Sequence, residues 1–252
     1  MERRTGSQVL INNDFYETLG DEWYTATDHP IALLRAENRV RTRWIAQDID
    51  KYQGKSAKVL DVGCGAGFLT NYLSLQGYGV TGIDLSQNSL EVALRYDESK
   101  RVQYLLADAY KLPFADGSFD VVCAMDILEH VDNPTKLISE GSRVLSPGGR
   151  FFFHTFNRNF LSYFMVIKGV DWFLKNAPPH MHVYNLFITP KELTSICKAE
   201  HLKIDDMRGF IPDMFTRAFW NMLHTGKVSD DFRFKFTKCL LTGYCGSASK
   251  FF

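Results

Sequence analysis

Val59-Leu60-Asp61-Val62-Gly63-Cys64-Gly65-Ala66-Gly67 is a short apolar run that breaks into three glycines within five residues. It reads as a buried strand followed by a tight turn, with a helix predicted over 68–76. At such a turn the backbone passes close to a ligand, and the first helical N–H groups face outward. Dinucleotide-binding turns space their glycines G-x-G-x-x-G, whereas here Gly67 arrives one residue early and Phe68 holds the third slot. That favours a cofactor without a pyrophosphate over a nicotinamide dinucleotide.

Outward from this turn the pattern repeats. A strand is predicted over 79–84, a helix over 86–96 with Ser86 as N-cap, and strands over 102–107 and 119–124. A helix over 134–145 and a strand over 150–155 follow. Alternation at this spacing defines right-handed βαβ units. The expected fold is α/β, Rossmann-like and doubly wound, with a mostly parallel seven-stranded sheet whose ligands sit at the carboxyl ends of the strands. Residues 1–55 form an N-terminal helical segment, with apolar positions from Ile31 to Ile49 at helical spacing. Residues 56–252 form the main domain. Within it, an aromatic insert at about 157–187 breaks the rhythm and reads as a helical lid, before a helix over 190–199 and a strand over 202–207 restore it. The aromatic tail 232–252 reads as an edge strand with a solvated face.

The strand ends carry acidic residues. Asp84 closes the second strand about twenty residues past Gly63, where a carboxylate accepts both hydroxyls of a ribose. Asp61 precedes the turn, and Asp108 follows the third strand, within reach of an adenine amino group. Leu85 and Ala109 adjoin these carboxylates and are grouped with them. A nucleoside cofactor is expected.

Together with Leu112-Pro113-Phe114, Phe119-Asp120-Val121-Val122 and Arg143-Val144-Leu145-Ser146-Pro147-Gly148-Gly149, these motifs resemble the class I S-adenosylmethionine-dependent methyltransferases. Met125-Asp126-Ile127-Leu128-Glu129-His130-Val131, Thr155-Phe156-Asn157-Arg158 and His182 with Phe187, Pro190, Glu192 and Leu193 resemble the ubiquinone-biosynthesis O-methyltransferases of the UbiG type. The resemblance spans most of residues 13–210. It implies transfer of a methyl group from S-adenosyl-L-methionine to a phenolic hydroxyl of a hydrophobic, polyprenylated ring. It also implies the cofactor positions Arg41, Gly63, Asp84 and Met125, and the expected cofactor set joins to these Asp61, Gly65, Gly67, Leu85, Asp108 and Ala109.

The family's Glu, Glu, His metal pattern falls on Asp126, Glu129 and His130, with Asp in the first place. At i, i+3 and i+4 the three share one face of a helix, where Mg²⁺ would be held; the plainer reading is a capped helix start rich in acidic residues. His130, His154, His180 and His182 are candidate bases, of which the resemblance singles out His182, with His130 beside it. A methyltransferase acting on another small molecule at oxygen, nitrogen or carbon, and a non-catalytic cofactor-binding module, share the same cofactor motifs.

Composition narrows the partners. Lys and Arg number 29 against 29 Asp and Glu, so no net charge recruits a nucleic acid. Five cysteines without a CxxC pair suggest neither a disulfide framework nor a structural zinc. Met1–Gln8 leaves no room for a secretory leader, and no apolar run approaches a membrane span. A cytoplasmic protein is expected. The apolar stretch 160–174, interrupted by Lys168 and Asp171, reads either as a lid packed on its own domain or as a peripheral membrane contact.

Overall fold

The computed structural model describes residues 11–174 and 176–251; the Met1–Gln8 stretch considered for a leader lies outside them. The strands are β1 (Lys58–Val62), β2 (Gly79–Asp84), β3 (Gln103–Leu106), β4 (Phe119–Met125), β5 (Leu145–Phe156), β6 (Leu202–Pro212), β7 (Phe234–Thr237) and β8 (Gly243–Lys250). The helices are α1 (Glu22–Thr25), α2 (Pro30–Tyr52), α3 (Phe68–Leu75), α4 (Gln87–Arg95), α5 (Pro134–Val144), α6 (Phe160–Ser162), α7 (Gly169–Phe173), α8 (Pro190–Ala199) and α9 (Arg217–Thr225). The eight strands are joined into one sheet of order β3-β2-β1-β4-β5-β8-β6-β7. The first five pair in parallel; β8 then pairs antiparallel with β5, β6 antiparallel with β8, and β7 antiparallel with β6.

The sheet has eight strands where seven were expected. The tail forms two of them, and only β7 is an edge. β8 lies between β5 and β6 with six of its residues buried, because Tyr244, Cys245 and Ala248 are apolar enough to pack on both faces.

Strand alternation sorts the core. Phe151 and Phe153 point to the layer holding Leu137, Ile138, Leu193 and Cys197 from α5 and α8. Phe152 points to the opposite layer, with Trp44, Ile45 and Ile49 of α2 and Leu69 and Leu73 of α3. All three phenylalanines are fully buried, each contributing about 1.5–3 kcal/mol by area. Local signals fix where helices begin. His29 Nδ1 accepts from the Ile31 N–H ahead of Pro30, Asn133 caps α5 ahead of Pro134, and Thr189 with Glu192 forms a capping box on α8.

β1 is flanked by β2 on one side and β4 on the other, so strand order reverses there and a crevice opens at the carboxyl ends of β1 and β4. The insert crosses this crevice, and Met165, Val166, Val170, Met181 and His182 face into it. Among the described residues, no helix is long and apolar enough to cross a membrane.

Candidate active site

The crevice is a cavity of about 550 Å³, a size suited to small-molecule chemistry. Its first half is built where the sequence placed it. Gly63 (φ +71°) turns the chain out of β1, and the N–H groups of Gly63 and Cys64 both donate to the Ile83 carbonyl at 2.9 Å. A Cβ on Gly63 would lie 2.4 Å from Ile127 Cδ1, and one on Gly65 would lie 2.9 Å from the Trp23 ring. Glycine is required by conformation and by space.

Asp84 accepts from the Gly65 N–H at 2.8 Å and the Ser86 N–H at 2.9 Å, one on each oxygen. Burial raises its pKa against the pull of those N–H groups. Each oxygen keeps a lone pair for a diol. Asp108 Oδ1 is fixed by the Tyr110 N–H at 2.8 Å. Asp61, Leu85, Ala109 and Met125 also line this half. Burial, followed by the charges of Asp84 and Asp126, pushes the Asp61 carboxyl well up. A buried carboxyl in this position suits a ligand bearing positive charge, such as the sulfonium and ammonium of S-adenosylmethionine.

Two expected cofactor residues sit elsewhere. Gly67 (φ +84°) caps α3 and faces Tyr104, whose hydroxyl would lie 2.5 Å from an added Cβ; its role is in the turn. Arg41 is fully buried behind the cavity wall. Its guanidinium donates to both oxygens of Asp126, at 2.7 and 2.5 Å, and lies 3.3 Å from Glu37. A cation so engaged is not offered to a cofactor carboxylate.

The same contacts revise the metal reading. Asp126 does not share a helix face with Glu129 and His130, because it takes a left-handed conformation (φ +58°) and only Leu128–His130 form a single 3₁₀ turn. Among the described residues, the group of three acidic and histidine side chains whose ligand atoms converge within 4.8 Å is Glu37, Asp126 and His154. The cation already among them is Arg41. Burial works against the charge of Asp126, but Arg41 and then His154 outweigh it and hold its pKa below the usual carboxylate range. With Arg41 shared between two carboxylates, burial and the charge of Asp126 leave Glu37 pushed up to about 8. His130 Nδ1 lies 3.2 Å from Asn13 Oδ1. Glu129 is 1% exposed, and neither of its carboxyl oxygens has a hydrogen-bond partner among the described residues. Burial followed by Asp126 raises it to about 8, so it stands as a neutral acid. A three-residue Mg²⁺ site at Asp126, Glu129 and His130 is therefore not assembled, and the donor set does not fit the ion.

The second half of the cavity holds the histidines. The rings of His130 and His182 lie 5.7 Å apart, with Phe156 edge-on to His182 at 5.1 Å and Tyr16 edge-on to His130 at 5.7 Å. Burial lowers His130 to about 4 and, with His130 adding, His182 to about 3. Both are neutral near pH 7. His154 also lines this half, whereas His180 is an exposed turn residue (φ +59°) away from it.

Sequence reasoning missed much of this half. Tyr16, Trp23, Leu33 and Leu34 come from before the domain, and Phe210, Phe234 and Gly243 from beyond the insert. The one available signal was aromatic density at Phe15, Tyr16, Trp23 and Tyr24. Tyr24 in fact bonds the Ala66 carbonyl at 2.8 Å and stacks on Tyr96 at 3.7 Å, fastening the N-terminal segment over the glycine turn.

Comparison with known proteins identifies the fold and the family. A methyltransferase-domain family model matches residues 60–153. The chain resembles a magnesium protoporphyrin IX methyltransferase from Synechocystis solved with bound S-adenosylhomocysteine. The TM-score is 0.58 at 16% identity, over 87% of this chain and 84% of that one. An S-adenosylmethionine-dependent methyltransferase from Methanosarcina mazei gives 0.55 at 22%, over 81% and 97%. These likenesses show the fold, and the domain match together with the sequence relatives makes the chain an S-adenosylmethionine-dependent methyltransferase. The ubiquinone biosynthesis O-methyltransferase of Thiobacillus denitrificans is 38% identical over 207 residues, covering 81% of this chain and 88% of the relative. That of Aromatoleum aromaticum is 34% identical over 81% and 87%. The chain belongs to the ubiquinone biosynthesis O-methyltransferase family.

Proposed function

We propose that the protein methylates a phenolic hydroxyl of a catechol-like ring carrying an apolar, polyprenyl-type tail, working in the cytosol at a membrane surface. The observation that carries this reading is the division of the cavity: a carboxylate-lined end at Gly63, Asp84 and Asp108, and an end walled by Phe156, Met165, Val170, Phe210 and Phe234 around neutral histidines. S-adenosylmethionine supplies a methyl group already activated on its sulfonium.

The chain's own task is positioning, which supplies about 7–11 kcal/mol at best. Asp84 fixes the ribose, Asp108 the adenine edge, and Met125 at the end of β4 the approach between the two ends. The apolar walls exclude water and receive the ring and the start of its tail. His130 and His182 are proposed to bound the ring face. The outer face of the insert, with Phe160 76% and Trp172 63% exposed, is proposed to meet the membrane in which such a tail dissolves.

The test is transfer of labelled methyl to a short-tailed soluble catechol and to a long-tailed one in vesicles, each with EDTA or with Mg²⁺. Transfer to both, with the tailed acceptor favoured on vesicles, supports the reading. Tight cofactor binding with transfer to neither overturns it. Transfer that survives EDTA agrees with the commitment of Asp126 to Arg41. Transfer lost to EDTA and restored by Mg²⁺ would show that the Asp126–His130 loop rearranges.

A further inference from the structure

We propose that His154 accepts the proton of the acceptor hydroxyl, steadied by Asp126, which Arg41 in turn holds in place; this rests on the phenolic O-methylation proposed above. His154 stands on β5 directly beside Met125, its register partner on β4, at the edge where the two halves of the cavity meet. It is 1% exposed. Its Nδ1 lies 2.5 Å from Asp126 Oδ1, off the axis of a straight N–H bond, so a small ring rotation aligns the pair.

The other ring nitrogen has been left room. Nε2 makes no hydrogen bond among the described residues, and a Cβ built on Gly243 would sit 3.1 Å from it and 3.4 Å from the Phe156 ring. Gly243 is not in the left-handed region, so any residue fits its backbone. What the glycine supplies at the head of β8 is space next to Nε2, on the cavity wall.

The surrounding charges suit an imidazole that gains a proton. Arg41 and Asp126 cancel, Glu37 faces Arg41, and the Asp126 carboxylate is the group in contact with the ring. Neither His130 nor His182 has a carboxylate within ion-pair distance among the described residues, so neither has a counter-ion for the imidazolium. In the step, the hydroxyl proton passes to Nε2 and an oxygen electron pair forms the O–CH₃ bond. The methyl–sulfur bonding pair returns to sulfur, leaving S-adenosylhomocysteine, and the ring then releases its proton to water. His154 is thus a catalytic residue, and Asp126 and Arg41 are positioning residues.

The test compares catechol with 4-nitrocatechol, whose far more acidic hydroxyl needs little help to ionise, using full-length protein and labelled S-adenosylmethionine. His154→Gln is expected to lower kcat on catechol by about 10²–10⁴. On nitrocatechol the loss should stay within about tenfold, with cofactor Kd unchanged. Gly243→Ala, which keeps the ring and crowds Nε2, is expected to show the same selectivity, and it decides the matter if His154→Gln does not fold. Equal losses on both acceptors, or no loss on catechol, overturn the assignment of His154. Wild-type protein that binds cofactor and methylates neither these acceptors nor the tailed catechols of the first test overturns the O-methylation reading, and this one with it; where only the tailed catechols react, the same comparison is made on them and their ring-nitrated forms.

Discussion

The cofactor end of the cavity takes its residues from the ends of β1, β2, β3 and β4 and the turns that follow the first three, whereas the acceptor end draws on segments as far apart as Tyr16 and Gly243. In the first, backbone N–H groups do most of the fixing: Gly65 and Ser86 hold Asp84, and Tyr110 holds Asp108. In the second, side chains hold side chains: Glu37, Asp126 and His154 on the cavity wall form one cluster with Arg41, which is fully buried behind them. A site made from consecutive strand ends changes with single positions. One made from a buried ionic cluster changes as a unit, because each member sets the charge of the next.

Breaking the cluster is the hardest blow to that comparison. Arg41→Leu leaves Asp126 buried without its cation, and unfolding in urea is expected to show a loss of about 3–5 kcal/mol. The double variant Arg41→Leu/Asp126→Leu should recover most of it. A single-variant loss below about 1 kcal/mol would mean the cluster is no unit.

At the other end, Asp84→Ala removes a charged acceptor from a diol. Calorimetry should find the cofactor Kd raised roughly a hundredfold, about 3 kcal/mol, with the acceptor site unaffected. An unchanged Kd would dissolve the ribose assignment and, with it, the contrast between the two ends.

The smallest effect sharpens the charge state of the cluster. Glu37, raised from 4.5 to about 8 by burial, binds a proton more tightly folded than unfolded. Its contribution to stability is therefore full below pH 4.5 and is lost as pH climbs towards 8. Glu37→Gln cannot lose a proton, so relative to wild type it should gain roughly 1–3 kcal/mol between pH 5 and 8. Parallel urea-stability curves over that range would show that Glu37 is ionised throughout.

The contrast also explains what could be read in advance. Helix starts at Pro30, Pro134 and Pro190 and strand ends at Val62 and Asp84 were legible because caps, prolines and apolar runs act over a few residues. The glycine turn and Asp84, Asp108 and Met125 came with them, since chain order alone puts those residues at the carboxyl edge. The Asp126, Glu129, His130 spacing misled, because it presumes a helix where a left-handed Asp126 precedes a single 3₁₀ turn. Arg41 misled for a related reason. Its placement on α2 was correct, but no local rule says that its face points to Asp126 rather than to a ligand.

The sequence by itself determined the parallel α/β frame, the turn at Gly63 and the placing of Asp84 and Asp108 at the carboxyl ends of their strands, all consequences of short-range propensity and of strand order. Only the tertiary structure decided that β8 enters the sheet beside β5, which brings Gly243 to His154, and that α2 delivers Arg41 to Asp126. Those pairings join residues about ninety positions apart in the chain. They are set by which faces bury together, a property of the packed molecule that no local pattern records.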